Sequence, residues 1–184
     1  MNIEEAFKAV DRANFMPPEI QHLAEVDNAA PIGHGQTISQ PYTVRAMLEW
    51  LDPRPGEKVL DVGSGSGWTT ALLAKLVGPK GRVYAVERIP ELLKFGRDNV
   101  QRLGIKNAEF HPAGDELGLP EAAPFDKILV SAAADELPDE LVDQLKVGGK
   151  MVIPVHDDIL EITKLPGGKL DTKIHPGFVF VPLL

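Results

Sequence analysis

The segment Asp61-Val62-Gly63-Ser64-Gly65-Ser66-Gly67 carries the first chemistry legible in the chain. Glycines at alternate positions after an apolar run permit a tight strand-to-helix turn and close backbone approach to a ligand. Glu87 stands 20 residues past Gly67, at the end of a second apolar run. A carboxylate there can accept both hydroxyls of an adenosine ribose. A dinucleotide fingerprint would need G-x-G-x-x-G, but position 68 is Trp68. Asp61 would repel a pyrophosphate and suits a cationic ligand. S-adenosyl-L-methionine, with an ammonium, a sulfonium and no phosphate, fits this set. Gly63, Ser64, Gly65 and Gly67 form the expected cradle, with Glu87 and Arg88 beside it. Gly114-Asp115-Glu116 follows a third apolar run, where Asp115 or neighbouring N–H groups can read an adenine. The plainer alternatives are a strand–turn–helix corner with a solvated Glu87, and a turn Asp115 capping its own backbone.

A second segment, Ile32-Gly33-His34-Gly35-Gln36-Thr37-Ile38-Ser39-Gln40-Pro41-Tyr42, has hydroxyls and amides but no carboxylate and no cation other than a histidine. It contains no obvious acid or base. Ser39 can serve as the N-cap of a helix with Pro41 in its first turn.

The elements that must position these segments follow from periodicity. Residues 3–10 read as a short helix, stopped by Pro17-Pro18. Residues 19–38 look irregular. Val44, Met47, Leu48 and Leu51 form one apolar helical stripe, ended by Asp52-Pro53-Arg54-Pro55-Gly56. Strands are expected from Lys58, over 81–87, 108–115, 125–134 and 149–155, and helices over 68–77, 90–103 and 138–145. Residues 159–164 and 174–182 read as a closing antiparallel pair around Pro166-Gly167-Gly168. This alternation predicts an α/β fold: a doubly wound, mostly parallel, seven-stranded sheet with helices on both faces. A single domain is expected over 1–184, with residues 1–52 as an N-terminal substrate or lid segment and 53–184 as the nucleotide-binding core.

Composition narrows the partners. The chain has 184 residues, 43% hydrophobic, with a net charge of −8 and a pI near 5.1. That balance argues against nucleic acid and anionic membrane as partners. The absence of cysteine excludes disulfides, thiolate catalysis and cysteine-ligated zinc, and points to a cytoplasmic setting. The acidic start, Met1 to Val10, does not read as a secretory signal, and no apolar run has membrane-spanning length. The five histidines are scattered, so no metal site is expected. A monomer is expected.

With these residues in hand, the chain resembles the protein-L-isoaspartate (D-aspartate) O-methyltransferase family. The resemblance rests on Gly35-Gln36-Thr37-Ile38-Ser39-Gln40-Pro41, on Val59–Gly67, Pro124-Phe125-Asp126, Ser131–Ala134, Gln144-Leu145-Lys146, Ile153-Pro154-Val155 and Val179–Leu183. It implies a Rossmann-like class I methyltransferase that uses S-adenosyl-L-methionine on damaged, isoaspartyl-containing proteins and peptides. Such enzymes methylate the free carboxylate of L-isoaspartyl, and for some members D-aspartyl, residues; the ester then closes to a succinimide that hydrolyses partly to normal aspartate. By this resemblance Ser39 is the catalytic candidate, and Gln36, Thr37 and Ile38 wall the cofactor. The neutral turn then makes sense, because a substrate carboxylate with a pKa of ~4 is already ionised and needs no base.

Four stretches depart from the family pattern. The family usually has a helix before the position that aligns with Met1. Its G-D-G-x-x-G is here the shorter Gly114-Asp115-Glu116-Leu117-Gly118, the stretch before Pro31 lacks an aromatic, and His156 follows Val155 in place of Gly. A carboxyl methyltransferase for another peptide or small acid, and a homologue that binds the cofactor without turnover, stay open as alternatives.

Overall fold

The computed structural model describes residues 1–184. Its frame is a seven-stranded sheet built from β3 (Lys58–Val62), β4 (Arg82–Glu87), β5 (Ala108–Pro112), β6 (Phe125–Val130), β7 (Leu145–Val155), β8 (Asp158–Lys164) and β9 (Leu170–Pro176). The order is β5-β4-β3-β6-β7-β8-β9. The first five are parallel, and β8 and β9 add antiparallel pairs at one edge. Connections run from β3 outward to β4 and β5, then return to the other side of β3. That reversal opens a crevice at the carboxyl ends of β3 and β6.

Strand residues alternate between two apolar layers, as the two-residue period of a strand requires. Val59, Leu129 and Val152 face one layer, together with α2 (Pro41–Leu51), α3 (Trp68–Val77) and α4 (Pro90–Arg102). Leu60, Ile128 and Met151 face the other, beneath α5 (Asp139–Gln144) and the segment around Leu119. The N-terminal helix α1 (Ile3–Ala9) joins the first layer: Ala6, Val10, Phe15 and Met16 are buried in the same cluster as α2 and α3.

Three local expectations are corrected. Residues 19–38 are not irregular throughout. A 3-10 helix covers Pro18–Leu23, and a hairpin pairs β1 (Ala30–Gly33) with β2 (Gln36–Ile38). His34 and Gly35, the two residues between its strands, have φ of 54° and 71°, the left-handed backbone that a tight hairpin turn needs. The strands are too short for alternation to declare them.

The second correction concerns the closing pair. Its outer arm is Leu170–Pro176, not 174–182, because the turn closes early through the Leu165 N–H to Lys169 carbonyl bond of 2.7 Å. Pro176 has no N–H with which to extend the ladder. The chain then leaves the sheet edge and returns to β6, where the Ala133 N–H donates to the Val181 carbonyl and the Leu183 N–H to the Ala133 carbonyl, both at 2.8 Å. Finally, the helix expected over 138–145 is Asp139–Gln144, and Leu145 already belongs to β7.

One close approach sets how the glycine loop meets α4. Gly67 has φ +86°, and a Cβ there would lie 2.8 Å from the Gly96 carbonyl oxygen and 3.1 Å from Val100. Gly67→Ala combines left-handed strain with overpacking against backbone, so it should destabilise the protein by roughly 2–4 kcal/mol in urea unfolding.

Candidate active site

The loops at the carboxyl ends of β3, β4, β5 and β6 converge on one cavity of about 480 Å³. Gly63, Ser64 and Gly65 line its floor, with Glu87 and Arg88 beside them. Gly114, Asp115 and Glu116 form one wall, and Gln36, Thr37, Ile38 and Ser39 form another. Two of the proposed cradle residues, Asp61 and Gly67, do not line it. Asp61 sits behind the loop under the start of α3, and Gly67 faces α4. Both shape the loop from outside, one by charge and hydrogen bonds, the other by close packing.

Glu87 is held in place from both sides. One carboxylate oxygen accepts from the Gly65 N–H and the other from the Ile89 N–H, each at 2.9 Å. The side chain thus ties the turn after β3 to the turn after β4. Each oxygen keeps further acceptor capacity, and the residue lines the cavity. Ser64 is buried on the cavity wall, and its hydroxyl has no partner within the protein. A buried hydroxyl without a partner costs about 1–3 kcal/mol, which a ligand can offset.

Asp61 is fully buried and accepts from the Thr69 hydroxyl at 3.0 Å and the Thr70 hydroxyl at 2.6 Å through a single oxygen. Its other oxygen has no partner. Burial raises its pKa to about 6; the two hydroxyls oppose that shift and the Glu87 charge adds to it.

Ser39 does not cap the helix. The N-cap of α2 is Gln40, and its side chain makes no cap hydrogen bond. The cap comes from a distant residue, Asp27. Its carboxylate accepts from the Tyr42 N–H at 2.8 Å, and its carboxylate and carbonyl both accept from the Gln40 side chain. The Ser39 hydroxyl is left on the cavity wall with no protein hydrogen bond.

Several lining residues were given no site role from the sequence. Ile32, from the hairpin, approaches the glycine loop: a Cβ on Gly65 would meet its Cδ1 at 3.4 Å. Trp68, read only as a departure from a dinucleotide motif, is buried and donates its indole N–H to the Val10 carbonyl at 3.3 Å. It ties the glycine loop to the N-terminal segment. Val181–Leu184 close another side of the cavity. Their approach depends on the corrected path of the C-terminal chain.

A glycine-rich turn, a carboxylate at the end of the neighbouring strand and this strand order define the class I methyltransferase fold, a Rossmann-like α/β architecture. Residues 1–184 match the model of the protein-L-isoaspartate(D-aspartate) O-methyltransferase family, and the chain belongs to that family. The protein-L-isoaspartate O-methyltransferase of Aeropyrum pernix is 50% identical over 98% of this chain and 71% of its own length. That of Methanopyrus kandleri is 47% identical over 99% of this chain and 83% of its own length. A solved protein-L-isoaspartate O-methyltransferase superposes with a TM-score of 0.87 at 28% identity over 98% of this chain; the chain spans 60% of that structure's length. A Plasmodium falciparum structure described as a putative enzyme of this type, in complex with S-adenosyl-L-homocysteine, gives 0.84 at 29% identity, over 99% of this chain and 89% of its own.

The raised pKa of Asp61 predicts a pH signature. Between its unfolded value of 3.8 and its folded value of about 6, the native state holds more protons than the unfolded state. Stability due to this group therefore falls as pH rises through that window, and above it the full cost of the buried charge is in place. Asp61→Asn removes the titration. The stability of the wild type relative to Asp61→Asn should be higher at pH 4 than at pH 7.5, as read from urea midpoints; a constant difference would refute the assignment.

Proposed function

We propose that this protein methylates the free carboxylate of L-isoaspartyl residues in damaged proteins and peptides, with S-adenosyl-L-methionine as methyl donor. The observation that carries this reading is that Ser39, whose hydroxyl makes no hydrogen bond within the protein, lines the same cavity as Glu87 on a wall without carboxylates. Family membership over the whole chain supports the substrate class.

The residues present fit the donor. Glu87 offers two fixed oxygens to ribose hydroxyls, and Ser64 a buried hydroxyl without a partner. The free oxygen of Asp61 puts negative charge behind the loop, suited to a cationic amino-acid moiety. Asp115 lines the same cavity, and its carboxylate with the N–H groups of its loop supplies acceptors and donors of the kind an adenine edge needs. When bound, S-adenosyl-L-methionine supplies an activated methyl on a cationic sulfur.

The protein's own part is alignment and exclusion of water. The substrate carboxylate arrives ionised, so no side chain has to remove a proton. Ser39 donates a hydrogen bond to one carboxylate oxygen and leaves the other free to attack. Ile32, Ile38 and the C-terminal residues around Val181 keep the reacting atoms from solvent. The product is a methyl ester; the adjacent peptide nitrogen attacks its carbonyl and expels methanol, closing a succinimide without further help from the enzyme. The step as proposed calls on no metal ion, since the nucleophile is already ionised and the methyl is already activated.

The reading is tested with labelled S-adenosyl-L-methionine and two peptides that differ only in Asp versus isoAsp. Base-labile label should appear on the isoAsp peptide alone. Label on both peptides, or on neither, would remove the isoaspartyl assignment. Ser39→Ala should lower the single-turnover rate by ~10- to 1,000-fold with little change in S-adenosyl-L-homocysteine affinity. Because Asp27, not Ser39, caps α2, its melting temperature should stay close to that of the wild type.

A further inference from the structure

The geometry points to Arg12 as a positioning residue that holds Ser39 in register with the glycine loop. This rests on the role proposed above for Ser39. Arg12 is 5% exposed, yet no carboxylate pairs with it directly. Its guanidinium donates instead to five backbone carbonyls. One terminal nitrogen reaches Leu23, Ala24 and Val26 at 3.2–3.3 Å. The other reaches Asn28 at 2.7 Å and Ser39 at 3.1 Å. Burial of such a cation carries a desolvation cost, which depresses its pKa. A stabilising core residue at this site would be apolar, because replacing a buried charge with packed carbon is often neutral or favourable. The planar fork fixes direction, and direction is what a segment of short elements and turns lacks.

Two contacts place this fork between the two halves of the cavity. The guanidinium carbon lies 5.5 Å from the Trp68 ring centroid, and Trp68 opens α3 directly after the glycine loop. The carbonyl of Ser39 is on the other side. Between them, the same fork gathers residues 23–28, which end in the Asp27 cap on Gln40 and Tyr42. Ser39 is thereby bracketed: Arg12 holds its own carbonyl, and Asp27 holds the two amino acids that matter next, Gln40 and Tyr42. With its backbone held on both sides, the Ser39 hydroxyl has one wall to face. Arg12 does not line the cavity; its effect passes through the Ser39 backbone.

A general support residue and a positioning residue give different kinetics. Arg12→Met should lower the single-turnover rate with an isoaspartyl peptide by ~10- to 100-fold at saturating S-adenosyl-L-methionine, with S-adenosyl-L-homocysteine affinity within about twofold of wild type. Arg12→Lys, which keeps the charge but loses the fork, should fall between the two. The double variant Arg12→Met/Ser39→Ala should be no slower than Ser39→Ala, because both changes remove one alignment. Asp27→Ala alters an exposed side chain and should give a smaller loss of the same kind, ~3- to 10-fold. Rate losses that multiply in the double variant, or cofactor affinity that falls in step with rate, would overturn the assignment. If Arg12→Met does not fold, wild-type rates in both Arg12→Lys and Asp27→Ala would overturn it. If the wild type labels no isoaspartyl peptide, the functional reading fails separately. Amide exchange at Ser39 and Tyr42 then decides: faster exchange in Arg12→Lys with unchanged β3 and β6 supports the role, and unchanged exchange refutes it.

Discussion

The cavity depends on one carboxylate held by two backbone N–H groups. Glu87 spans the gap between the turns that follow β3 and β4, and each of its oxygens is already committed on the protein side. That leaves the carboxylate rigid before any ligand arrives. An acceptor held this way needs no reorganisation to take a ligand's hydroxyls, the condition under which hydrogen bonds to a charged group are most effective. The glycines of the loop follow from the same constraint. Gly65 must present its N–H to Glu87, and Gly67 must let the loop settle against Gly96 of α4.

Charge is arranged in depth around this point. Asp61 and Glu87 place two acids on the cofactor side, one fully buried and one nearly so. The wall formed by Gln36, Thr37, Ile38 and Ser39 carries none. An anionic substrate would be repelled by an acid on that wall, and a basic residue would hold a carboxylate as a tight, unreactive ion pair. A hydroxyl gives direction without either penalty. The separation of an acidic half from a neutral half is therefore consistent with joining a cationic donor to an anionic acceptor in a space sheltered from water.

The N-terminal segment completes the cavity although it contributes no strand to the main sheet. Beside its apolar packing, side chain to backbone contacts fix it: Arg12 to five carbonyls, Trp68 to the Val10 carbonyl, Asp27 to the start of α2. Such contacts give short irregular pieces fixed positions where they lack a ladder of their own. The C-terminal chain is held in a similar way, by Ala133 on both sides of Val181–Leu183.

The parallel core was legible from sequence because its signals are local and periodic. Apolar runs of strand length, helical stripes and glycine turns recur from Lys58 to Val155, and each element forms close to where its pattern lies. The glycine loop and Glu87 were legible too, since residue type and spacing along the chain are enough to mark them; the wall from Gln36 to Ser39 was legible only through the family resemblance. Tertiary structure decided the rest. Nothing adjacent to Arg12 or Asp27 marks them, because their partners lie 11 to 27 and 13 to 15 residues away in irregular chain. Asp61 carries the acid the motif leads one to expect, but only folding turns it behind the loop rather than into the cavity. Ser39 looked like a cap from its position before Pro41, and the fold freed it by bringing Asp27 to that task. Chemistry set by residue type and short spacing can be read along the chain; the direction a side chain faces depends on which distant backbone groups it meets, and only the folded chain brings those together.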